Sequence, residues 1–296
     1  MTVAVVTGAT GGLGYATAEA LAKGGAHVVL AGRNPAKGDV ALTKLRRAVP
    51  GAKAEFALLD LASLASVQAG AEKLLAAHPA IGILVDNAGV MAPKRRQMTP
   101  DGFELQFGTN YLGHFALTAR LLPGLIAGRA RVVQVSSLAH RGGAIAWGDL
   151  QGARRYSAWR SYGQSKLAML MFALELARRA EAAGWPLVSV AAHPGWAVTD
   201  IIANGPGGGA PGLLEHAMQG AFRLFGQSAV DGARPIVWAA TSVAARPGGY
   251  YGPSGLGELR GPPSPSRIMP QALDLGACAR LWAESEKLAG VTFALN

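Results

Sequence analysis

The sequence predicts a single-domain α/β protein in which helices cover both faces of a parallel sheet of about seven strands. Two observations predict this doubly wound architecture. Short runs rich in Val, Leu and Ile alternate with longer segments of helical pattern, as in consecutive strand–helix–strand units. These short runs are almost continuously apolar, which is typical of strands that helices cover on both sides. The chain of 296 residues is therefore expected to form one Rossmann-type domain.

The first part of the chain supplies four predicted strands and four predicted helices. Each strand is an apolar run that ends at Gly or Asp, and Ser63 is placed to cap the third helix. In chain order the elements are strand 3–8, helix 12–24, strand 27–32, helix 35–48, strand 54–60, helix 63–77, strand 83–89 and helix 102–127.

The second part continues the alternation and then departs from it. Strand 131–137, a long helix over 156–183 that Gly184 ends, and strand 187–195 complete the regular pattern. A last helix is predicted over 271–289.

Two segments are too rich in glycine and proline for helix or strand. NGPGGGAPG at 204–212 follows a predicted strand end, where ligands bind in such sheets, so we interpret 199–226 as a flexible substrate lid. An ordinary flexible connection is the alternative. PSGLGELRGPPSPS at 253–266 begins a C-terminal extension, 253–296.

Composition and charge argue against several classes of protein. The formal net charge is +10, but the basic residues are scattered over different elements, so a nucleic-acid partner is not expected. The longest apolar stretch, 167–177, is too short to span a bilayer and contains Glu175. Cys278 is the single cysteine, so no intrachain disulfide forms and no metal site is expected. These features predict a cytoplasmic protein.

A glycine-rich turn predicts a dinucleotide site. TGATGGLG begins at Thr7, directly after the first strand, and leads into the first helix, with Gly8, Gly12 and Gly14 in the pattern TGxxxGxG. Glycine permits a tight turn and close approach of the backbone, while the helix N-terminus presents free amides to a pyrophosphate. The alternative is a tight turn in an unrelated α/β protein.

The end of the second strand favours NADP(H) as the cofactor. An acidic residue there would bind the adenosine ribose hydroxyl of NAD, whereas Arg33 and Asn34 stand there instead and suit a 2′-phosphate. NAD(H) is still possible, since Arg33 could be a solvated loop charge. Asp60, after the third strand, is expected at the adenine edge, at the N-terminal cap of the next helix, or in both roles.

Tyr162 and Lys166 are expected to carry proton transfer. They are four residues apart on a predicted helix, so both lie on one face, and Ser137 precedes them. Tyrosine titrates near pH 10, and lowering its pKa by ~3 units would require roughly 4 kcal/mol. We expect the Lys166 ammonium and an oxidised nicotinamide to supply this together.

These residues and three further motifs resemble the short-chain dehydrogenase/reductase superfamily. DNAG at 86–89 resembles its NNAG motif, with Asp86 in place of the first asparagine. TNYLGHF contains Asn110, and HPGWAVT at 193–199 resembles the segment beside the nicotinamide. The likeness runs from Thr2 to about Thr199. DGFELQFGTNYLGHFALT, the long Ser137 to Tyr162 interval and the GLGELRG tail resemble the retinol-dehydrogenase-like branch.

The resemblance implies a role for each site residue. Tyr162 would be the general acid and base, Ser137 would hold the substrate oxygen, with Ser136 as its competitor, and His193 would be structural. Lys166 would bind the nicotinamide ribose, and Asn110 would hold a water that links Lys166 to solvent. The catalytic set is Asn110, Ser137, Tyr162 and Lys166. The cofactor-binding set is Gly8, Thr10, Gly12, Leu13, Gly14, Arg33, Asn34, Asp60, Leu61, Asn87, Ala88, Gly89, Tyr162, Lys166, Pro194, Gly195 and Thr199.

The expected activity is NADP(H)-dependent interconversion of a small hydrophobic alcohol and its aldehyde or ketone by hydride transfer. Alternatives are an NAD-dependent enzyme, an enone or imine reductase, and a non-catalytic dinucleotide sensor. The resemblance also allows a homodimer or homotetramer. The following aromatic and Met side chains would line an apolar pocket or belong to the core: Phe103, Trp147, Trp159, Trp196, Met218, Phe222 and Phe225.

Overall fold

A computed structural model of the chain describes residues 1–196 and 227–294. The described strands are β1 (Val3–Thr7), β2 (His27–Gly32), β3 (Ala54–Leu58), β4 (Ile83–Asp86), β5 (Arg131–Val135), β6 (Val188–Ala192), β7 (Tyr250–Pro253) and β8 (Pro263–Pro265). The described α-helices are α1 (Gly12–Lys23), α2 (Pro35–Ala48), α3 (Leu64–Ala77), α4 (Gly113–Ala127), α5 (Ala158–Ala182), α6 (Ala229–Thr241), α7 (Pro270–Leu273) and α8 (Leu275–Ala289). The expected lid at 199–226 lies outside the described residues.

One sheet runs through the molecule in the order β3-β2-β1-β4-β5-β6-β7-β8. All neighbouring pairs are parallel except the last, because β8 runs antiparallel to β7. The strand order reverses direction between β1 and β4, and this is the switch point at which doubly wound sheets bind ligands. The predicted single α/β domain of Rossmann type is confirmed.

Alternate residues of the strands face two separate apolar layers. Val5, Val29 and Leu84 pack with residues of α3, α4, α5 and α8 on one face. Val6 and Leu30 pack with residues of α1, α2 and α6 on the other face. Helices therefore bury both faces of the sheet, which explains why the strands are apolar at nearly every position.

The C-terminal part departs most from the sequence prediction. Segment 253–266, expected to be irregular, contains the end of β7 and the whole of β8, so the sheet has one strand more than the approximate seven. Proline is unfavourable in a central strand, but Pro263 and Pro265 lie on the edge strand. Two backbone hydrogen bonds flank the pairing of β7 with β8. The Ser254 amide donates to the Pro262 carbonyl oxygen at 2.9 Å, and the Ser266 amide donates to the Tyr250 carbonyl oxygen at 2.8 Å.

Two helical segments also differ from the prediction. Helix α6 was not predicted, because Gly232 and Pro235 interrupt its helical pattern, although Ser228 caps it by accepting from the Asp231 amide at 3.1 Å. The predicted helix 102–127 begins with a π-helical turn, Phe107–Leu112, and only then continues as α4. No helix in the described ranges is both long and apolar enough for a membrane crossing.

Candidate active site

The turn after β1 has the shape that its glycines predict. Gly8 and Gly12 have φ of +64° and +52°, in the left-handed region. A Cβ on Gly14 would lie 2.4 Å from the Gly8 carbonyl oxygen, so α1 approaches the turn closely only because residue 14 is glycine. The N-cap residue of α1, Gly11, makes no side-chain cap hydrogen bond. This open helix N-terminus fits the pyrophosphate of a dinucleotide. Leu13 is buried in the first turn of α1.

Hydrogen bonds of Thr7 connect the end of β4 with the glycine turn. The hydroxyl oxygen of Thr7 accepts from the amides of Asn87 and Ala88, at 2.8 and 2.9 Å. The Asn87 side-chain amide donates to the Thr7 carbonyl oxygen at 2.8 Å. A Cβ on Gly8 would lie 2.9 Å from Cα of Ala88, so the two turns are in direct contact. The structure thus brings the two predicted cofactor motifs together.

His114 extends this contact towards Asn110. Its Nδ1 donates to the Asn110 carbonyl oxygen at 2.8 Å, and its Nε2 lies 2.8 Å from the Thr7 hydroxyl oxygen. Burial lowers the pKa of His114 to about 3, so the ring is neutral and carries its one proton on Nδ1. Nε2 must therefore accept from the Thr7 hydroxyl. Sequence reasoning missed Thr7 and His114 as positioning residues, although they stand inside the motifs TGATGGLG and TNYLGHF.

Asn110 lies in the π-helical turn that precedes α4. Its Oδ1 accepts from the Val90 amide at 2.7 Å, and its Nδ2 donates to the Val90 carbonyl oxygen and to Ser165 Oγ, at 2.9 and 3.0 Å. Such turns are frequent at functional sites, because they shift one side chain out of the helical register. A Cβ on Gly89 would lie 3.2 Å from Asn110 Oδ1 and 3.7 Å from Lys166 Nζ. Gly89 thus leaves room between the two predicted catalytic side chains.

Asp86 is the residue that departs from the family motif. It is fully buried at the end of β4, and Thr118 donates to its Oδ2 at 3.1 Å. Burial raises the pKa of Asp86 to about 8, although Thr118 and Gln134 oppose the rise. The carboxyl group is therefore protonated at neutral pH. A protonated Asp presents an O–H donor beside a carbonyl acceptor, and an asparagine side chain presents an NH2 donor beside a carbonyl acceptor.

Tyr162 and Lys166 lie on α5 and are both buried, with 9% and 5% of their surfaces exposed. Lys166 Nζ donates to the Val135 carbonyl oxygen at 2.9 Å and is 5.9 Å from the centre of the Tyr162 ring. The prediction that both side chains lie on one helix face is therefore confirmed.

Burial determines the pKa values of Tyr162 and Lys166 in the protein alone. Burial raises the pKa of the phenol to about 12, and a hydrogen bond with Ser137 opposes the rise only in part. Burial lowers the pKa of Lys166 to about 8. The loss of water around both groups disfavours both charged forms, and the lysine, held against a carbonyl oxygen, does not compensate by itself. The expected lowering of the Tyr162 pKa, which also requires the charge of an oxidised nicotinamide, stays a prediction.

The two neighbouring serines have different partners. Ser136 Oγ donates to the Lys166 carbonyl oxygen at 2.7 Å and is buried. Ser137 caps a short 3-10 helix, Leu138–Gly142, by accepting from the Ala139 amide at 3.2 Å, and it bonds the Tyr162 phenol. Ser137, rather than Ser136, is thus the serine that interacts with the Tyr162 phenol.

The residues expected near the adenosine lie at the ends of β2 and β3. Arg33 is exposed there. Asn34 caps α2, because its Oδ1 accepts from the Lys37 amide at 3.1 Å. The side-chain NH2 of Asn34 takes no part in this bond. Thr10 lies against Gly32, where a Cβ would be 3.0 Å from Thr10 Cγ2.

Asp60 and Leu61 follow the third strand. Asp60 Oδ1 accepts from the Ala62 amide at 3.0 Å, so Asp60 stabilises the turn before α3. This is the structural role at the start of the helix that the sequence left open beside the adenine contact. Ser63 caps α3 itself, by accepting from the Ser66 amide at 3.3 Å. Leu61 is buried, and a Cβ on Gly113 would lie 2.3 Å from its carbonyl oxygen.

His193 holds the turn after β6 and is fully buried. Its Nδ1 accepts from the Gly195 amide at 3.1 Å, so in the neutral ring the proton is on Nε2, which donates to Glu258 Oε2 at 2.9 Å. Pro194 and Gly195 form the turn, and Gly195 has φ of +65°. Sequence reasoning assigned His193 a structural role but missed Glu258. Thr199 lies outside the described residues.

Glu258 joins three segments around this turn. It accepts from His193, from Arg141 at 2.9 Å and from the Arg267 amide at 3.3 Å. Burial alone would raise the pKa of Glu258, yet the hydrogen bonds from His193 and Arg267 and the charge of Arg141 hold it at about 2. Arg141 belongs to the 3-10 helix that Ser137 caps. Glu258 therefore connects the turn after β6 with the segment that follows Ser137.

Replacing Glu258 by glutamine is expected to weaken this connection. Glutamine keeps an acceptor for His193 but presents no charge to Arg141, so the free energy of unfolding should fall by ~1–2 kcal/mol. Urea unfolding followed by tryptophan fluorescence measures the change. Glu284→Gln on α8 is the matched control and should leave the unfolding midpoint in place. Equal midpoints for the two variants would contradict the assigned role of Glu258.

Only part of the predicted apolar pocket lies within the described residues. Phe103 and Trp147 pack against the main core, and Trp147 also stacks with the Arg280 guanidinium, 4.2 Å from the ring centre. Trp159 is 53% exposed and contacts the Tyr162 ring edge-on at 6.2 Å, so it lies at the mouth of the site. Trp196 is partly buried, and its backbone amide donates to the Leu259 carbonyl oxygen at 2.8 Å. The other three candidates, Met218, Phe222 and Phe225, lie outside the described residues.

The sequence and the fold of the chain are similar to those of several known proteins. The family model for short chain dehydrogenase matches residues 2–205. Over 294 residues the chain is 39% identical to a polyprenol dehydrogenase of Mus musculus, covering 97% of this chain and 84% of the relative. Over 203 residues it is 43% identical to retinol dehydrogenase 12 of Mus musculus, covering 68% of this chain and 63% of the relative. The crystal structure of an uncharacterized protein from Mycobacterium paratuberculosis is 38% identical, has a TM-score of 0.80 and covers 100% of this chain and 96% of that chain.

Proposed function

Because the chain belongs to the short-chain dehydrogenase/reductase family, in its retinol-dehydrogenase-like branch, we propose that it is an NADP(H)-dependent oxidoreductase. Its substrate would be a hydrophobic alcohol and the corresponding aldehyde or ketone. The observation that carries the proposal is the buried contact of the Tyr162 phenol with Ser137, with Lys166 on the same helix face. An acid, a hydrogen-bonding hydroxyl and a cation are thus held together beside the glycine turn.

The residues of the chain fit a bound dinucleotide. The open N-terminus of α1 and the glycines at 8, 12 and 14 would receive the pyrophosphate, and Asp60, Leu61 and Ala88 would surround the adenosine. Lys166 would bind the nicotinamide ribose, beside the gap that Gly89 leaves. The bound nicotinamide supplies the hydride chemistry that no side chain can provide.

Tyr162 would act as the general acid when a carbonyl is reduced. Its pKa of about 12 in the protein alone keeps the phenol protonated at neutral pH, ready to donate to the substrate oxygen. Ser137 would donate a second hydrogen bond to that oxygen and hold it in place. In the reverse direction the phenolate is needed, and the positive charge of an oxidised nicotinamide would favour it.

Asn110 and its partners would fix the geometry behind the phenol. The Asn110 side chain bonds Val90 and Ser165, and Ser165 in turn donates to the Tyr162 carbonyl oxygen at 2.8 Å. The chain of hydrogen bonds from Thr7 through His114 to the Asn110 carbonyl links this support to the cofactor turn. Asn110 would also hold the water through which Lys166 regains a proton.

The substrate class is proposed from the relatives. Retinol and polyprenol, named in two of the relatives, are both long apolar alcohols. Exposed Trp159 beside Tyr162 provides an apolar surface at the mouth of the site for such a chain. We propose an apolar primary alcohol or its aldehyde as the substrate, with the reacting oxygen placed at Tyr162 and Ser137.

The loss of NADPH absorbance over a panel of aldehydes and ketones of increasing chain length tests this proposal. Turnover should rise with apolar chain length, and NADPH should support it better than NADH. Consumption of NADPH with enones or imines but not with aldehydes would overturn the proposed reaction. Dinucleotide binding without turnover on any of these substrates would indicate a sensor instead.

Arg33 is expected to select between the two cofactors. A charge-assisted hydrogen bond to the 2′-phosphate contributes roughly 1.5–3 kcal/mol, so Arg33→Asp should shift the NADPH to NADH affinity ratio by ~10-fold or more towards NADH. Isothermal titration with both cofactors measures this ratio. Arg47→Asp, at the other end of α2, makes the same charge change and should leave the ratio nearly constant. An unchanged ratio in Arg33→Asp would refute the phosphate contact.

A further inference from the structure

Three side chains with metal-binding groups meet at the end of the sheet opposite the cofactor turn. His27 is the first residue of β2, Glu55 is the second residue of β3, and His78 directly follows α3. In the sheet register Val29 is beside Glu55, and strand residues two apart point to the same face. His27, Val29 and Glu55 therefore share one face, and Val29 packs in the layer that contains α3. Three separate elements thus bring these side chains together.

The possible ligand atoms are already close to one another. Glu55 Oε1 lies 2.5 Å from His78 Nε2 and 3.2 Å from His27 Nε2. One ligand atom from each residue lies within 4.8 Å of the others. The two imidazole rings are perpendicular, with centres 5.0 Å apart. Both rings therefore direct a nitrogen towards the same carboxylate oxygen.

This spacing is near that of a tetrahedral zinc site. With metal–ligand distances of ~2.0–2.2 Å, two ligands of a tetrahedron lie roughly 3.3–3.6 Å apart. The distances from Glu55 Oε1 to His78 Nε2 and His27 Nε2, 2.5 and 3.2 Å, are both shorter than this separation, so the carboxylate must rotate away from the His78 ring to admit an ion. Two imidazoles and one carboxylate are a ligand set that suits Zn²⁺.

We propose that His27, Glu55 and His78 bind one Zn²⁺ ion, with water as the fourth ligand. The side chain of His78 is 12% exposed and that of His27 is 23% exposed, so the surrounding protein holds both rings. The Glu55 side chain is 45% exposed, which gives an ion access from solvent. This proposal concerns residues that the sequence, with its one cysteine, did not mark as a metal site.

The bound ion would join the starts of two strands to the end of a helix. The site lies at the beginning of β2 and β3, whereas the glycine turn and Tyr162 lie towards the opposite ends of the strands. Zn²⁺ should therefore stabilise the fold without taking part in the chemistry. Because an ion that binds only the folded state raises its stability, a Zn²⁺ concentration ~100-fold above Kd should raise Tm by roughly 3–6 °C.

Titration of the chelator-treated full-length protein with ZnCl2 tests the site. Isothermal titration should give one ion per chain for the unaltered protein, and CoCl2 should produce the visible absorption of a four-coordinate ion. His78→Ala and His27→Ala should each abolish the Co²⁺ spectrum and the rise in Tm. Glu72→Gln, which removes an exposed carboxylate on α3, should retain both signals.

Two results would overturn the proposed Zn²⁺ site. Absence of stoichiometric binding to the unaltered protein at submillimolar Zn²⁺ would overturn it. Binding that survives in the double variant His27→Ala with His78→Ala would also overturn it, since the ion would then lie elsewhere. Because both readouts are spectroscopic or thermal, neither depends on the proposed oxidoreductase activity.

Discussion

Replacing Tyr162 by phenylalanine should lower turnover by at least ~10²-fold, the loss typical when a general acid is removed. The ring remains, so packing against Trp159 and the fold should persist. Dinucleotide affinity should change little, because the pyrophosphate and adenosine contacts come from other segments. Steady-state NADPH consumption with an apolar aldehyde measures turnover, and isothermal titration measures affinity.

Tyr156→Phe is the matched control for this variant. It also removes one phenolic hydroxyl, which donates to the Pro93 carbonyl oxygen at 2.8 Å and makes no contact with Ser137 or Lys166. Its turnover should remain within a few-fold of the unaltered protein. Undiminished turnover in Tyr162→Phe, with normal folding of both variants, would remove the proposed acid from the mechanism.

Replacing Asp86 by asparagine should increase the free energy of unfolding by roughly 2–4 kcal/mol at pH 7. The folded-state pKa of about 8 exceeds the ordinary value of 3.8, so the folded protein must keep a proton that the unfolded chain releases. Each pH unit between those values costs ~1.4 kcal/mol of stability. Asparagine is neutral at every pH, and its NH2 can donate to the buried Gln134 side chain.

The contribution of Asp86 to the free energy of unfolding depends on pH with a definite sign. Because the pKa of Asp86 is raised, its contribution to stability is complete below pH 3.8 and is lost as pH rises towards 8. The advantage of Asp86→Asn should therefore grow from pH 5 to pH 8, measured by urea unfolding at each pH. Asp39→Asn, on the exposed surface of α2, should show no such growth. A constant difference across this range would mean that Asp86 is ionised in the folded state.

Local patterns sufficed to predict most of the fold. The apolar runs and glycine turns depend on neighbours in sequence, so strands β1 to β6 and helices α1 to α3 and α5 were predicted within a few residues. Helix α6 was missed because Gly232 and Pro235 lower its local helical propensity, which packing against the sheet overrides. The edge strand β8 was missed because proline is ordinarily a signal against a strand.

The site was predictable in composition but not in its hydrogen bonds. Spacing alone placed Tyr162 and Lys166 on one helix face. The connection of Thr7 to His114 spans 107 residues of sequence, and Glu258 lies 65 residues from His193, so neither has a local signal. Burial, which is a property of the folded state without a local sequence signal, raises the pKa of Tyr162 in the protein alone.

The prolines of β8 limit how this protein can associate with copies of itself. The backbone hydrogen bonds between this edge and β7 involve Pro262 and Ser266, so the nitrogens of Pro263 and Pro265, at the alternate positions, face outward on this border of the sheet. Neither nitrogen carries a hydrogen, and a foreign strand approaching there finds acceptors without matching donors. Amyloid-like stacking or a continuous intermolecular sheet is therefore disfavoured along this border, and a dimer that used it would need side-chain contacts instead.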